Sequence, residues 1–319
     1  NPKPQTPNPK AIALLLFSGF LNKTVECLDS GPFWDRHRRL VVPDKGTRVK
    51  KSSGPLVQPY LVQGEPLVRK LFSLEKHNEA EIMAEIESLQ RFQSVPGLVK
   101  YYTCVKDKNK KEISIFMERL QGNLSEELEY FQSLKWSQKF NLLWKVTMGF
   151  VQFHKMGYVH GDIKPANIMF LPNKKGIKII DLGLTMKVKS RQYGYTHFYM
   201  SPEISDNSEK YARTYQDVWS WIITIYVLLL PNFKAKIEAA NGGSKPRAVV
   251  GHLILTVKHR LMKENIRYGL PFYAIMKNWL VEEPSDRPTM EQIAKGLKKL
   301  FFYAKTKELM EAKKRSEKE

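Results

Sequence analysis

A polar loop between two short apolar segments limits the possible folds of this sequence more than any other feature. It lies in "YVHGDIKPANIMF" (158–170), where Asp162, Lys164 and Asn167 interrupt what would otherwise continue as a strand. After the turn "LPNKKG", a strand-like run "IKII" leads directly to Asp181. Two carboxylates and an amide at neighbouring strand ends are oxygen ligands for a hard cation, and a nearby ammonium group suits a phosphate. The sequence therefore predicts a magnesium-phosphate site.

Composition indicates a globular chain with a strongly basic character. The chain has 319 residues, 42% of them hydrophobic, which is enough for one large or two medium domains. Its formal net charge of +20 favours anionic partners, namely nucleotides, acidic proteins, nucleic acid or anionic surfaces, without choosing among them. The longest apolar run, 218–230, is too short to span a bilayer and is followed by Pro231. We expect a buried helix there and no membrane span.

The two cysteines, Cys27 and Cys104, lie far apart in the chain. We therefore expect neither a disulfide framework nor a four-ligand zinc site, and a reducing compartment. The expected location is intracellular, cytoplasmic or nuclear, which includes delivery there as a secreted effector. Because the first residue is Asn1 and not methionine, we also expect a processed or truncated start that has lost any targeting segment.

The chain divides into a small β-rich part and a larger helical part. Strand-like runs at 40–42, 55–62 and 66–72 precede an amphipathic helix at 78–92 and two further strands. Beyond Gly122 the apolar periodicity predicts helices. Their expected ranges are 126–132, 137–156, 216–230, 248–263, 271–281 and 288–303.

Glu85 lies within the apolar stripe of the helix at 78–92. A buried carboxylate is costly unless a cation meets it. The nearest cation on a core-type strand is Lys70, which makes these two residues candidates for an ion pair. Glu81 is the alternative partner, and a helix glutamate can also reach solvent.

Five segments, in order along the chain, resemble the eukaryotic-type protein kinase family. "HGDIKPAN" resembles the catalytic loop, "DLG" the magnesium-binding triplet and "YTHFYMSPE" the end of an activation segment. "DVWS" and "SDRPT" resemble the buried helix after it and the penultimate turn of the domain. The resemblance implies an α+β, two-lobed protein kinase fold, with a small β-rich N-lobe containing one helix and a larger, mostly helical C-lobe. The implied boundaries are 1–39 for an N-terminal extension, 40–303 for the kinase domain (N-lobe 40–116, hinge 117–122, C-lobe 123–303) and 304–319 for a charged tail.

The same resemblance implies roles for the polar residues. Asp162 would accept or orient the proton of the substrate hydroxyl, and Lys164 would neutralise the transferring phosphoryl group. Asn167 and Asp181 would hold Mg²⁺. Lys70, fixed by the helix glutamate, would hold the α- and β-phosphates of ATP. A lysine two places after the aspartate resembles serine/threonine kinases, so the implied substrates are protein serine and threonine hydroxyls.

Further positions would bind adenine. Met117 would guard the back of the pocket, and the backbone of Glu118 and Leu120 would hydrogen-bond the ring. Val68 and Met169 would lie above and below it. Core packing explains each of these five positions equally well.

The sequence departs from the family in its phosphate loop. Of the three expected glycines, only Gly54 in "VKKSSG" (49–54) matches, although Lys50 and Lys51 can compensate electrostatically. The alternative reading is therefore a pseudokinase that acts as a scaffold or allosteric partner with weakened nucleotide binding. A third reading, based on charge, is a basic module that binds nucleic acid or an acidic surface.

The second departure is Gly161, where many regulated kinases have an arginine that contacts a phosphorylated activation loop. We therefore expect activity without activation-loop phosphorylation. His160, although it precedes this loop, is interpreted as a packing residue. Glu203 and Arg287 are interpreted as a structural ion pair.

Overall fold

The computed structural model describes most of the chain in two compact units. The described residues are 28–29, 41–43, 55–62, 65–192, 194, 196–233 and 246–317. The first unit contains the described residues up to Arg91 together with Lys100–Arg119. The second contains Phe92–Val99 and the described residues from Leu120 onward. The glycine-poor segment 49–54, including Gly54, and nearly all of the predicted N-terminal extension lie outside the described residues.

The first unit contains a six-stranded sheet. Its strands are β1 (Leu28–Asp29), β2 (Val41–Pro43), β3 (Leu56–Val62), β4 (Glu65–Ser73), β5 (Tyr101–Asp107) and β6 (Glu112–Glu118). The order is β1-β5-β6-β4-β3-β2, with β1 parallel to β5 and the other neighbours antiparallel. The lysine-rich segment 108–111 forms the exposed β5–β6 turn, where Lys110 lies 3.8 Å from Asp107 and Lys111 lies 3.9 Å from Glu75.

One described helix, α1 (Glu79–Arg91), belongs to this unit and packs against β5. Asn78 caps its N-terminus, because its Oδ1 accepts a hydrogen bond from Ala80 N–H at 2.8 Å. The buried residues Ile82, Ile86 and Leu89 recur at three- and four-residue steps, which is the pattern from which the helix is predicted. The predicted helix at 78–92 is thus confirmed to within one residue at each end.

The second unit is mostly helical. Its helices are α2 (Leu128–Ser133), α3 (Trp136–Lys155), α4 (Pro202–Ser205), α5 (Thr214–Leu229), α6 (Pro246–Tyr268), α7 (Phe272–Met276) and α8 (Met290–Ser316). The core forms where α3 meets α5: Trp221 is fully buried, and its Nε1 donates to Thr147 Oγ1 at 2.9 Å. Nearly every residue of α5 is buried, which confirms the expected buried helix. No helix in the described ranges is long and apolar enough to cross a bilayer.

Short strands in the second unit carry the polar loop. β7 (Gln121–Asn123), β9 (Ile168–Phe170) and β10 (Ile177–Ile179) form a sheet in the order β10-β9-β7. β8 (Tyr158–Val159) pairs with β11 (Met186–Lys187). The loop of Asp162 therefore connects two different sheets, which is why the chain cannot continue there as one strand.

The expectation of reduced cysteines is wrong for Cys104. This residue is buried in β5 and is disulfide-bonded. The sequence contains one other cysteine, Cys27, which lies outside the described residues. The prediction used distance along the chain, but Leu28 pairs with Val105 in the parallel β1–β5 register, so the two regions are close in space.

Three helix boundaries also differ from the sequence prediction, and the first is that of the helix expected at 248–263, which continues to Tyr268. The expected helix at 271–281 ends at Met276, where Lys277 caps it and a turn follows. The helix expected at 288–303 starts at Met290 but continues to Ser316, through most of the predicted tail. Ala304 is buried, so packing extends the helix beyond its last strongly apolar segment.

Candidate active site

Asp217 of α5 holds the start of the polar loop. Its Oδ2 accepts a hydrogen bond from His160 N–H at 2.7 Å, and its Oδ1 accepts one from Gly161 N–H at 3.0 Å. His154 Nε2 lies 3.1 Å from Oδ2. Burial opposes ionisation of Asp217, but the interactions with His154 and His160 outweigh it and hold the pKa of this carboxyl below its ordinary value. A buried, ionised side chain thereby positions the loop backbone.

Asp162 lies at the centre of three side-chain donors. Lys164 Nζ donates to Asp162 Oδ2 at 2.6 Å, and Asn167 Nδ2 donates to the same oxygen at 2.9 Å. Thr196 Oγ1 donates to Asp162 Oδ1 at 2.7 Å and accepts from Lys164 Nζ at 2.8 Å. Since each carboxylate oxygen is bonded, the side chain is held in one orientation. The structure thus brings the two predicted catalytic residues, Asp162 and Lys164, into direct contact.

Thr196 is a site residue that sequence reasoning missed. It lies in "YTHFYMSPE", which supports the resemblance, but no role is predicted for it. The hydroxyl reaches Asp162 from 34 residues further along the chain. The available signal was a threonine in a segment expected to lie near the catalytic loop.

Asn167 and Asp181 are brought together by the pairing of β9 with β10. Ile168 pairs with Ile179, and Ile180 N–H donates to Asn167 O at 2.9 Å, so Asp181 follows directly beside the loop. Asp181 adopts a positive φ of 62°, which is uncommon for a residue with a side chain. Such conformations concentrate at functional sites.

The donor set of Asn167 and Asp181 fits a hard divalent cation that also binds phosphate. Both side-chain hydrogen bonds of Asn167 are made by its Nδ2, to Asp162 O and Oδ2, so its amide oxygen is directed elsewhere. Within the described residues, no group of three or more His, Cys, Asp or Glu side chains is placed to hold a metal. Magnesium does not require such a group, because it usually keeps waters and binds phosphate oxygens alongside one or two protein ligands.

In the first unit, Lys70 and Glu85 form the pair that the sequence predicts. Lys70 Nζ on β4 donates to Glu85 Oε1 on α1 at 2.6 Å, and the two side chains are 13% and 6% exposed. Glu81, the alternative partner, is exposed. Because both charges of the pair are largely removed from solvent, each needs the other, and Lys70 is held in place by α1.

The five predicted adenine-binding residues are all half-buried. Val68 and Met117 are partners across β4 and β6, so their side chains project from the same face of the sheet. The N–H of Glu118 donates to Lys100 O, just before β5, at 2.9 Å. Leu120 follows in the second unit, where Met169 occupies the centre of β9.

Gly161 is required by the backbone. Its φ is +82°, and a Cβ at this position would lie 2.4 Å from Leu184 O. Because that contact is with backbone, no side chain fits without a shift of the chain. An arginine at this position, as many regulated kinases have, would therefore clash with the backbone at Leu184.

The segment after "DLG" is held by backbone hydrogen bonds along its length. β11 pairs with β8, and Val188 N–H donates to Gly157 O at 2.9 Å. The chain then pairs with the segment before α5. Lys189 N–H donates to Ala212 O at 2.8 Å, Ala212 N–H donates to Ser190 O at 2.8 Å, and Gln192 N–H donates to Lys210 O at 3.0 Å.

Three further residues have the structural positions that the sequence predicts. Arg287 forms a bidentate, buried ion pair with Glu203, with Nη1–Oε1 and Nη2–Oε2 distances of 2.7 and 2.8 Å. His160 is buried edge-on against Phe150, with ring centroids 5.8 Å apart. Its Nδ1 accepts a hydrogen bond from Asp162 N–H at 3.3 Å, so the ring supports the loop backbone.

Comparison with known proteins supports the family resemblance noted in the sequence. The sequence matches the family described as "Protein kinase domain" over residues 61–297. The probable serine/threonine-protein kinase nek2 of Dictyostelium discoideum is 30% identical over 193 residues, which cover 55% of this chain and 45% of that protein. Mitogen-activated protein kinase kinase 7 of Arabidopsis thaliana is 32% identical over 164 residues, covering 48% of this chain and 51% of that protein.

The human mitogen-activated protein kinase kinase kinase 3 is 30% identical over 154 residues, covering 46% of this chain and 24% of that protein. The chain thus spans about half or less of the length of these relatives. The family match, in contrast, covers more than half of the chain and includes the Asp162 cluster and the Lys70–Glu85 pair. With its mixed α+β architecture, this chain belongs to the protein kinase domain family.

Proposed function

We propose that this chain transfers the γ-phosphoryl group of Mg-ATP to serine or threonine hydroxyls of protein substrates. The observation that carries the proposal is the arrangement around Asp162, whose two carboxylate oxygens are oriented by Lys164, Asn167 and Thr196. Membership of the kinase family and the serine/threonine kinases among the similar proteins support it.

In this mechanism Asp162 accepts or orients the proton of the attacking hydroxyl. General base catalysis of this kind contributes roughly 10²- to 10⁴-fold. Lys164, which bonds both Asp162 and Thr196, places a positive charge where the phosphoryl group is transferred. Asp217 contributes indirectly, since it fixes the backbone that carries Asp162.

We assign the nucleotide contacts to the residues that the sequence predicts. Lys70, fixed by Glu85, would bind the α- and β-phosphates. Asn167 and Asp181 would hold Mg²⁺, which would neutralise the charge of the phosphates.

For adenine, the Glu118 carbonyl and the Leu120 N–H are the proposed hydrogen-bonding groups. The remaining proposed adenine contacts are Val68, Met117 and Met169.

The enzyme is further proposed to work without phosphorylation of its activation segment. In regulated kinases a phosphate orders this segment through new ion pairs. Here the backbone hydrogen bonds between 186–192 and both 157–159 and 210–212 supply that order. Gly161 leaves no room for the arginine that a phosphate would contact.

Phosphate transfer from radiolabelled ATP to a generic basic protein tests the proposed site. Asp162→Asn and Lys70→Met are each expected to reduce incorporation by about a hundred-fold or more. The matched control Asp286→Asn alters an exposed aspartate and should leave the rate unchanged. Incorporation that persists in both site variants would refute the assignment.

Two further measurements separate the alternatives. A thermal shift with Mg-ATP in the absence of any transfer would support a pseudokinase instead.

For the activation segment, phosphatase-treated protein, checked by intact mass, is expected to retain its full rate. Activity that returns only after phosphorylation of 184–200 would refute phosphorylation-independent function.

A further inference from the structure

The second half of α8 exposes a stripe of large apolar side chains. Phe302, Tyr303, Leu309 and Met310 are between 53% and 62% exposed. At 3.6 residues per turn, positions separated by one, seven and eight residues lie on the same side of a helix. These four residues, with the exposed Thr306 between the two pairs, therefore form one surface, which we call the outer face of α8.

The opposite side of the same turns is fixed to the protein body. Leu300 and Ala304 are buried, and α8 packs along α3. Glu308 accepts hydrogen bonds from the backbone N–H and the Oγ of Ser137, at 3.0 and 2.6 Å. Lys307 Nζ donates to the backbone carbonyl of Tyr268. Since these contacts prevent the helix from rotating, the outer face stays directed outward.

The charges around the outer face are positive. Residues 298–315 contain seven lysines and arginines and two glutamates. Both glutamates lie away from the apolar stripe by helical periodicity: Glu308 bonds Ser137, and Glu311 lies near Lys307 at 3.9 Å. Lys299 and Lys313 lie in line with the stripe, before and after it. Glu317, one turn beyond Lys313, lies 3.7 Å from its Nζ, so the outer face has an apolar centre interrupted by one threonine hydroxyl and a mostly basic periphery with one carboxylate at its C-terminal end.

This combination points to one kind of occupant. An aromatic and aliphatic face bordered by lysines is typical of helices that lie in the plane of an anionic membrane surface, where lysine stems extend the charge toward lipid headgroups. A second copy of the chain would bring two identical basic peripheries together, because a two-fold interface uses the same patch twice. Nucleic acid would not need an apolar centre.

We propose that the outer face of α8 binds the surface of anionic lipid bilayers, with the apolar side chains inserted at the headgroup boundary. The binding would be peripheral and would not depend on the proposed kinase activity. Anionic lipid is one of the partners that the net charge of +20 favours, although that charge by itself does not distinguish among anionic partners.

The test is co-sedimentation of the whole chain with vesicles of phosphatidylcholine, or of phosphatidylcholine and phosphatidylserine in equal parts. We expect binding to the mixed vesicles and little to the neutral ones. Phe302→Ser with Leu309→Ser should reduce the partition coefficient about ten-fold or more. Lys299→Gln with Lys313→Gln should reduce it about five-fold for each lysine, and only for the mixed vesicles.

A matched control uses two apolar residues exposed on another helix. Leu255 and Met262 of α6 are 69% and 49% exposed and are also seven residues apart, so Leu255→Ser with Met262→Ser should leave binding unchanged. Circular dichroism and phosphate transfer confirm that each variant is folded. The proposal is overturned if the mixed vesicles do not bind, if neutral vesicles bind equally, or if only the α6 variant loses binding. A lipid-free dimer that the Phe302 and Leu309 substitutions dissociate would also overturn it, in favour of self-association.

Discussion

Replacing Asp217 by asparagine keeps the shape of the side chain but removes one of its two acceptor oxygens. At least one buried backbone N–H, of His160 or Gly161, then loses its acceptor, and the attraction to His154 is lost as well. A buried donor left unsatisfied costs about 1–3 kcal/mol, so two lost bonds predict a loss of about 3 kcal/mol in the free energy of unfolding. At about 2–4 °C per kcal/mol for a unit of this size, Tm should fall by about 6–12 °C.

Differential scanning calorimetry and phosphate-transfer assays of Asp217→Asn measure the two consequences, which are a lower Tm and a lower kcat. The pH dependence gives a further check. The folded pKa of Asp217 is lower than the unfolded one, so its contribution is present above the unfolded pKa and is lost as the pH falls through the folded pKa. Wild type and variant should therefore converge in stability under acid conditions. An unchanged Tm at neutral pH would refute this reasoning.

Three other substitutions have defined outcomes. Gly161→Arg should lower Tm and kcat together, because its Cβ would meet Leu184 O; a fully active variant that requires phosphorylation would contradict this. Thr196→Ala should lower kcat roughly 10- to 100-fold, while Thr196→Ser should retain most of it, as steady-state assays would show. Burial, partly opposed by Glu264, lowers the pKa of Lys139 to about 8. Urea unfolding should therefore show wild type gaining stability relative to Lys139→Met as pH rises from about 8 toward 10.5, and the opposite slope would argue against a buried ammonium.

Local chemistry was sufficient to predict the polar loop and the ion pair. Asp162, Lys164 and Asn167 stand out because their immediate neighbours are apolar, and Glu85 stands out because it interrupts a helical stripe. A charge in an apolar pattern needs a partner, which made Lys70 a candidate, although the pattern left Glu81 and a solvent-exposed glutamate as alternatives. The 2.6 Å separation of that pair shows that the physical reasoning was correct.

Long-range contacts had no comparable signal. Thr196 reaches Asp162 across 34 residues, and no periodicity relates the two positions. Strand-like runs specify neither the disulfide-bonded state of Cys104 nor the parallel pairing of β1 with β5. The steric reason for Gly161 lies in the path of the chain at Leu184, which becomes evident only after folding.

The bidentate pair of Glu203 with Arg287 joins positions 84 residues apart and is buried. Until Arg287 has been synthesised, Glu203 faces an interior site as an uncompensated charge, at a cost of about 3–5 kcal/mol. During translation, the region around Glu203 therefore cannot complete its folding before Arg287 has emerged. A ribosome-bound chain ending ahead of position 287 should remain accessible to protease near α4, so the order of synthesis delays completion of this region until Arg287 has emerged.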